Sequence, residues 1–360
     1  MKYLLYLGLI PGITWANYQK PELLARYFST NNYNLPINSY CYMGTPMAFA
    51  GNVIINCVRD EYRDLMLWDR EGKSSTFYST KNFVSTPQYV NNMLTWYEYD
   101  LTGVKQIHQW KDGIRQTTKV DGEMKAVSFL GNEWIYQGRD SLTVKSGSGI
   151  YPSDIEDISY VFSPSVSSKG EYAVKIRRIS DANSSPDEIW IYKNKKWLKV
   201  FGDTDSNPES PWKDFRNNLT NGDGKVFVIA QDKDGEALLE ITPDGERILA
   251  RAGRDLKAFE PFQIAYNNGT IAFRGVDFQN RKVIYAYDGE LKRVLTQGDT
   301  IMTDFGEVAK IHYHDRDAVI YNNPAVGDEG EVIVQGTLTD FEDNTTLIGV
   351  GVIRIKRESH

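Results

Sequence analysis

Seven times along the chain a turn residue, usually glycine, opens a short run with the composition of a β-strand. These openings fall near positions 51, 92, 131, 170, 224, 269 and 330, at steps of 39 to 61 residues. The stretch "NNGTIAFRGVDFQNRKVIYAYDGELKRVLTQGD", Asn267 to Asp299, shows the unit most plainly. The strand Gly269–Arg274 leads through a polar loop to Lys282–Tyr287. The turn Asp288-Gly289 then leads to Arg293–Thr296. Each boundary carries Gly, Asn or Asp, the residues that accept the backbone angles of tight turns.

The same pattern recurs from Gly51 (turning at Glu71-Gly72), Asn91 (Asp112-Gly113), Lys169 (Lys193-Asn194), Asp223 (Pro243-Asp244-Gly245) and Asp328. A degraded copy begins at Gly131. Units of about 40–50 residues with about four short strands are the signature of β-propeller blades. No long amphipathic helix pattern appears after the first sixteen residues. The expected fold is therefore all-β, a seven-bladed β-propeller. The weakest part of each unit is its first strand, for which "PQYV", "SPSV", "FQIA" and "NPAV" are candidates. The last unit stops after its third strand, at Gly349 to Lys356. The segment Leu23–Phe28 resembles the fourth strand Ile248–Ala252 and is predicted to complete that blade, closing the ring and removing an open sheet edge.

Outside the repeat, Met1-Lys2, an apolar run from Tyr3 to Ile13, and small residues at Thr14 and Ala16 predict a secretory leader over residues 1–16. Residues 17–360 are then one exported propeller domain, periplasmic or secreted, with no membrane span. The formal net charge of −7 argues against nucleic acid as a partner. Cys41 and Cys57 flank a segment able to fold back as a hairpin centred near Phe49. In an oxidising compartment they are expected to pair.

"GDEGEVIVQGTL", "NNGTIAFRG" and "RVLTQGDTI" resemble the repeats of exported bacterial β-propeller proteins with an Asn/Asp-x-Gly-x-Val-Ala-Phe theme. The likeness is best over about residues 210–356. It implies a propeller and carries no catalytic residues. Paired Gly-His and Trp-Asp signatures are absent, so the chain does not resemble a WD40 protein.

The position five after each opening residue reads Asn56, Tyr97, Tyr136, Lys175, Ile229, Arg274 and Gln335, with Arg59 and Arg177 nearby. On a propeller these positions are expected to ring the channel, where basic and polar groups suit an anionic or hydroxyl-rich ligand. Lys175, Arg177, Arg274, Arg59 and Gln335 are the ligand-binding candidates. In "KIHYHDRD", His312 and His314 lie on one side of an extended segment, with Asp315 following. This is a weak pattern for a metal site or a general base, against a plain reading as surface or packing histidines. "GDTDSNPES" spaces Asp203, Asp205 and Asn207 as a calcium loop would, but Pro208 and Asp214 stand where that loop needs Gly and Glu, so it reads as a polar connection. There is no nucleophile elbow, phosphate loop or dinucleotide fingerprint, and no cofactor is expected.

Two functions follow. The first is a monomeric binding or scaffolding propeller that recognises a glycan, a peptidoglycan fragment or a protein partner of the cell envelope through its loop face. The second is a polysaccharide lyase or hydrolase at the channel mouth, using His312 or His314 with a Tyr and an Arg.

Overall fold

The computed structural model describes residues 18–358, apart from 29–30, 42–43, 120–123, 131–132, 139–143, 147–154, 156, 163, 181–183, 194–195 and 316. The leader predicted over residues 1–16 lies outside them, and at 124–146 only backbone strands are described. Among the described residues every regular element is a β-strand, and the strands form seven antiparallel sheets in chain order. Six sheets have five or six strands; the third has three: Met124–Leu130, Glu133–Gly138 and Val144–Ser146.

The fifth sheet illustrates how sequence makes the unit. Its central strand is Lys225–Asp232, flanked by Gly235–Thr242 and then Gly245–Arg251. The turn before it, Asp223-Gly224, holds both residues at positive φ (54° and 73°), as does Asn268-Gly269 in the sixth sheet (43° and 81°). Two successive positive φ angles match the twist of a two-residue hairpin, and Asn, Asp and Gly tolerate them best. The central strand is apolar on both faces. Val226, Val228 and Ala230 pack towards the fourth sheet, with Ala173 and Ile189. Phe227 and Ile229 pack towards the sixth, with Ile271 and Phe273. The two-residue period thus sends alternate side chains into two separate inter-sheet cores. Further cores join the sixth sheet to the seventh, the seventh to the first, and the first to the second.

The first strand of each unit differs from expectation. In the six sheets other than the third it is broken into two short pieces, both paired with the same central strand. In the fifth sheet these are Asp214–Phe215 and Thr220–Gly222, and in the sixth Ala258–Phe259 and Ala265–Asn267. The break leaves main-chain groups without ladder partners at mid-strand. In the seventh sheet the central strand Val332–Asp340 pairs with Val308–Ile311 and Ile320–Val326, and an added hairpin strand, Thr300–Met302, explains the longest repeat step. The strand Glu22–Tyr27 pairs antiparallel with Leu347–Ile355 in that same sheet.

Cys41 and Cys57 form a disulfide with Cα atoms 4.1 Å apart. The register explains it: Tyr40 lies opposite Val58, so the next residue meets Cys57.

Each sheet has two ends. One carries the tight turns that open the central strands, here the turn face. The other carries the loops that follow them and the sheet-to-sheet connections, here the loop face.

Candidate binding site

The predicted ring of polar side chains turns inward to neighbouring sheets. Asn56 Nδ2 of the first sheet donates to Val84 O of the second (2.5 Å), and Lys175 Nζ of the fourth donates to Phe215 O of the fifth (2.6 Å). Arg274 Nη1 of the sixth donates to Asn322 O of the seventh (2.9 Å), and Gln335 Nε2 of the seventh donates to Cys41 O of the first (2.7 Å). Val84, Phe215 and Cys41 border the break in the next sheet's first strand, and Asn322 lies at an irregularity within Ile320–Val326. At such places a carbonyl outside the regular ladder takes a side-chain donor. Ile229 has no donor to offer. There Arg216, from the break itself, reaches Phe259 O and Glu260 O of the sixth sheet.

The charges in this ring are compensated within the protein. Lys175 is buried, 2.6 Å from Asp187 and above the Phe162 ring. Arg177 makes a two-pronged contact to the same Asp187 (2.7 and 2.9 Å). Arg274 is buried against Glu260 (2.9 Å) and lies over Phe262; burial pulls its guanidinium below the usual range, opposed by Glu260. Arg59 pairs with Asp64 (2.6 Å), and Gln335 is fully buried. The Tyr136 side chain lies outside the described residues.

His312 Nδ1 lies 3.1 Å from Tyr313 O, while His314 Nδ1 lies 3.6 Å from Asp317 and 3.7 Å from Asp315. Tyr321 donates to Asp317 (2.9 Å), and its phenol is pushed up to about 12, chiefly by burial. Among the described residues no group of three or more His, Cys, Asp or Glu is arranged to hold a metal ion. Asp203 accepts from the Asp187 and Ser206 amides (3.0 and 2.9 Å), and burial pushes its carboxyl up to about 6. Here the calcium-like spacing shapes a loop.

Two openings bear on binding. One is an axial cavity of about 210 Å³ lined by the second pieces of the broken strands, including Gln88, Ser165, Thr220, Ala265 and Ala325. The other, about 440 Å³, lies between the first and second sheets and opens on the loop face. Small-molecule sites occupy roughly 300–1,000 Å³. Its walls include Tyr40, Arg63, Phe83, Tyr97 and Tyr99, with Asn56, Ser85 and Thr86 deeper in. The rings form a continuous array. Arg63 lies 5.3 Å from the Phe83 ring, Phe83 stacks on Tyr99 at 5.4 Å and 26°, and Tyr99 meets Tyr97 at 5.7 Å. Phe83 and Tyr99 are 41% and 36% exposed, which matters because large rings are normally buried in strands. Other exposed apolar side chains share this face: Tyr62, Ile179, Phe278 and Phe341. Of its lining, the sequence reading singled out Asn56 and Tyr97 but not Arg63, Phe83 or Tyr99.

Behind it sits a buried polar cluster. Glu98 accepts from Thr80 (3.0 Å) and Asn82 (2.6 Å), bonds to Tyr78, and lies 3.0 Å from His108 Nε2. Burial raises the Glu98 carboxyl, but the bonds from His108, Tyr78, Asn82 and Thr80 together outweigh it and bring it down to about 2. Burial and Glu98 push the Tyr78 phenol up beyond the ordinary tyrosine range.

No protein-family model and no curated protein matches the chain. Solved structures do. The β-propeller domain of the trilobed protease from Pyrococcus furiosus aligns with a TM-score of 0.57 at 12% identity, over 89% of this chain and 96% of that one. The fold is a β-propeller. An acylaminoacyl peptidase from Pyrococcus horikoshii aligns at 0.51 and 11%, over 83% of this chain and 49% of its own length. A puromycin hydrolase aligns at 0.50 and 11%, over 92% and 56%. The propeller thus spans about half the length of these two enzymes, and at such identities the likeness is one of fold. The Pyrococcus furiosus domain is described as having an open velcro topology; here the strand Glu22–Tyr27 pairs with Leu347–Ile355.

Proposed function

We propose that this protein is an exported binding propeller, a seven-bladed ring closed by its N-terminal strand, that holds a glycan of the cell envelope on its loop face. Seven sheets in chain order, and a core shared by the first and seventh, support the ring. The Cys41–Cys57 disulfide supports export, because such bonds persist in oxidising compartments. No helix among the described residues is long and apolar enough to cross a membrane.

The observation that carries the binding reading is the exposed array Phe83, Tyr99 and Tyr97 along the wall of the larger cavity. Aromatic faces present apolar surface to sugar C–H groups, while the phenols and the nearby Ser85 and Thr86 offer hydroxyls. The test is retention of the full chain on immobilised envelope polysaccharides and peptidoglycan. Wild-type protein is retained on one of them, and Tyr99→Ala weakens retention at least tenfold. Equal retention of Tyr99→Ala, or no retention of the wild type, would overturn the reading.

A further inference from the structure

Resting on that reading, we infer that the cavity between the first and second sheets selects an acidic saccharide, one bearing a carboxylate, with Arg63 as the group that recognises it. Four other arginines of the loop face are paired with carboxylates. Arg59 is held by Asp64, Arg177 by Asp187, Arg216 by Glu236 and Arg281 by Asp277, each at 2.6–2.8 Å. Three of these pairs join the end of a central strand or a first-strand break to an acid near the start of the next strand, and Arg281 folds back on Asp277 within the loop between two strands. Their charge is neutralised within the fold.

Arg63 differs. Among the described residues it has no carboxylate within ion-pair distance; its Nη1 donates to Tyr62 O at 3.3 Å, and its guanidinium lies over Phe83. The neighbouring Asp64 is already committed to Arg59 and Ser79. A half-buried guanidinium in the wall of a cavity keeps donors whose fixed fork suits a carboxylate. The stacked rings beside it suit the apolar face of a sugar ring, and the two features together define a hexuronate better than a neutral sugar. The chain carries a formal net charge of −7, so an acidic ligand gains nothing from the protein as a whole and depends on this local cation.

The experiment titrates the full chain by calorimetry with two probes: an oligosaccharide of hexuronic acid, and the same oligosaccharide with its carboxylates reduced to primary alcohols. The acid binds roughly 10–100-fold more tightly, the effect of a hydrogen bond to a charged group. Arg63→Gln removes that preference while retaining the weak affinity for the reduced probe, and Arg63→Lys restores part of it. Tyr99→Ala weakens both. Equal binding of the two probes by the wild type overturns the selectivity and leaves the loop-face reading standing. Binding of neither overturns the selectivity, and that reading then falls or stands on retention of the full chain by another envelope polymer. A glutamate-rich peptide that binds with the same dependence on Arg63 overturns the saccharide class.

Discussion

Gln335 donates its side-chain amide to the Cys41 carbonyl at 2.7 Å, joining the seventh sheet to the first across 294 residues of sequence. The amide oxygen accepts from Asn322, which also reaches Gly44 O. The same device recurs from Asn56, Lys175 and Arg274 to the following sheet. Side chains with the look of a ligand ring therefore hold successive sheets together.

Gln335→Ala leaves Cys41 O without its donor and opens a cavity in a fully buried site. It is expected to destabilise the protein by about 2–4 kcal/mol. Urea denaturation measures this, and a loss below about 0.5 kcal/mol would contradict the role.

Asp187 accepts from both Lys175 and Arg177, so its removal strands two cations, one of them buried. Asp187→Ala is expected to cost about 3–5 kcal/mol. Lys175→Met keeps the Arg177–Asp187 pair and fills the same space; it leaves Phe215 O without its donor but strands no charge, so its cost should be smaller. Denaturation of both variants tests the ranking.

Reduction of the Cys41–Cys57 bond releases a loop spanning a sequence separation of 16. The chain-entropy account puts its contribution at roughly 3 kcal/mol. The double variant Cys41→Ser, Cys57→Ser should unfold at correspondingly lower denaturant, and wild-type protein in reductant should match it.

Glu98 gives the fold an acid-sensitive point. Its carboxyl lies at about 2 in the folded protein, below the ordinary glutamate value of 4.5. A depressed carboxylate stabilises above the unfolded value and loses that contribution as pH falls through the folded one. The window is therefore roughly pH 4.5 down to 2, worth about 3 kcal/mol. Glu98→Gln should flatten the stability profile in that window; an unchanged slope would contradict the assignment.

Much of this fold is legible in the sequence. Turn residues such as Asp223-Gly224 and Asn268-Gly269, with apolar strands after them, mark the central strands and the hairpins that follow. The broken first strands are not legible, because pieces as short as Asp214–Phe215 carry no periodicity. Position along a strand also does not reveal what a side chain will meet. Lys175 and Arg274 lie on central strands, yet the carbonyls they serve belong to the following sheet, whose irregular first strand has no sequence signature. The larger cavity is hidden for a related reason: Tyr40, Arg63, Phe83 and Tyr99 come from separate strands of two sheets, and only packing brings them together.

On the proposed reading, binding occurs between the first and second sheets on the loop face and not in the axial cavity. Hydrogen exchange of the full chain, with and without the polysaccharide that retains it, tests this directly. Protection is expected in peptides covering residues 58–63, 83–88 and 97–101. Protection confined to residues 165–169, 220–224 and 263–269, around the axial cavity, would contradict it.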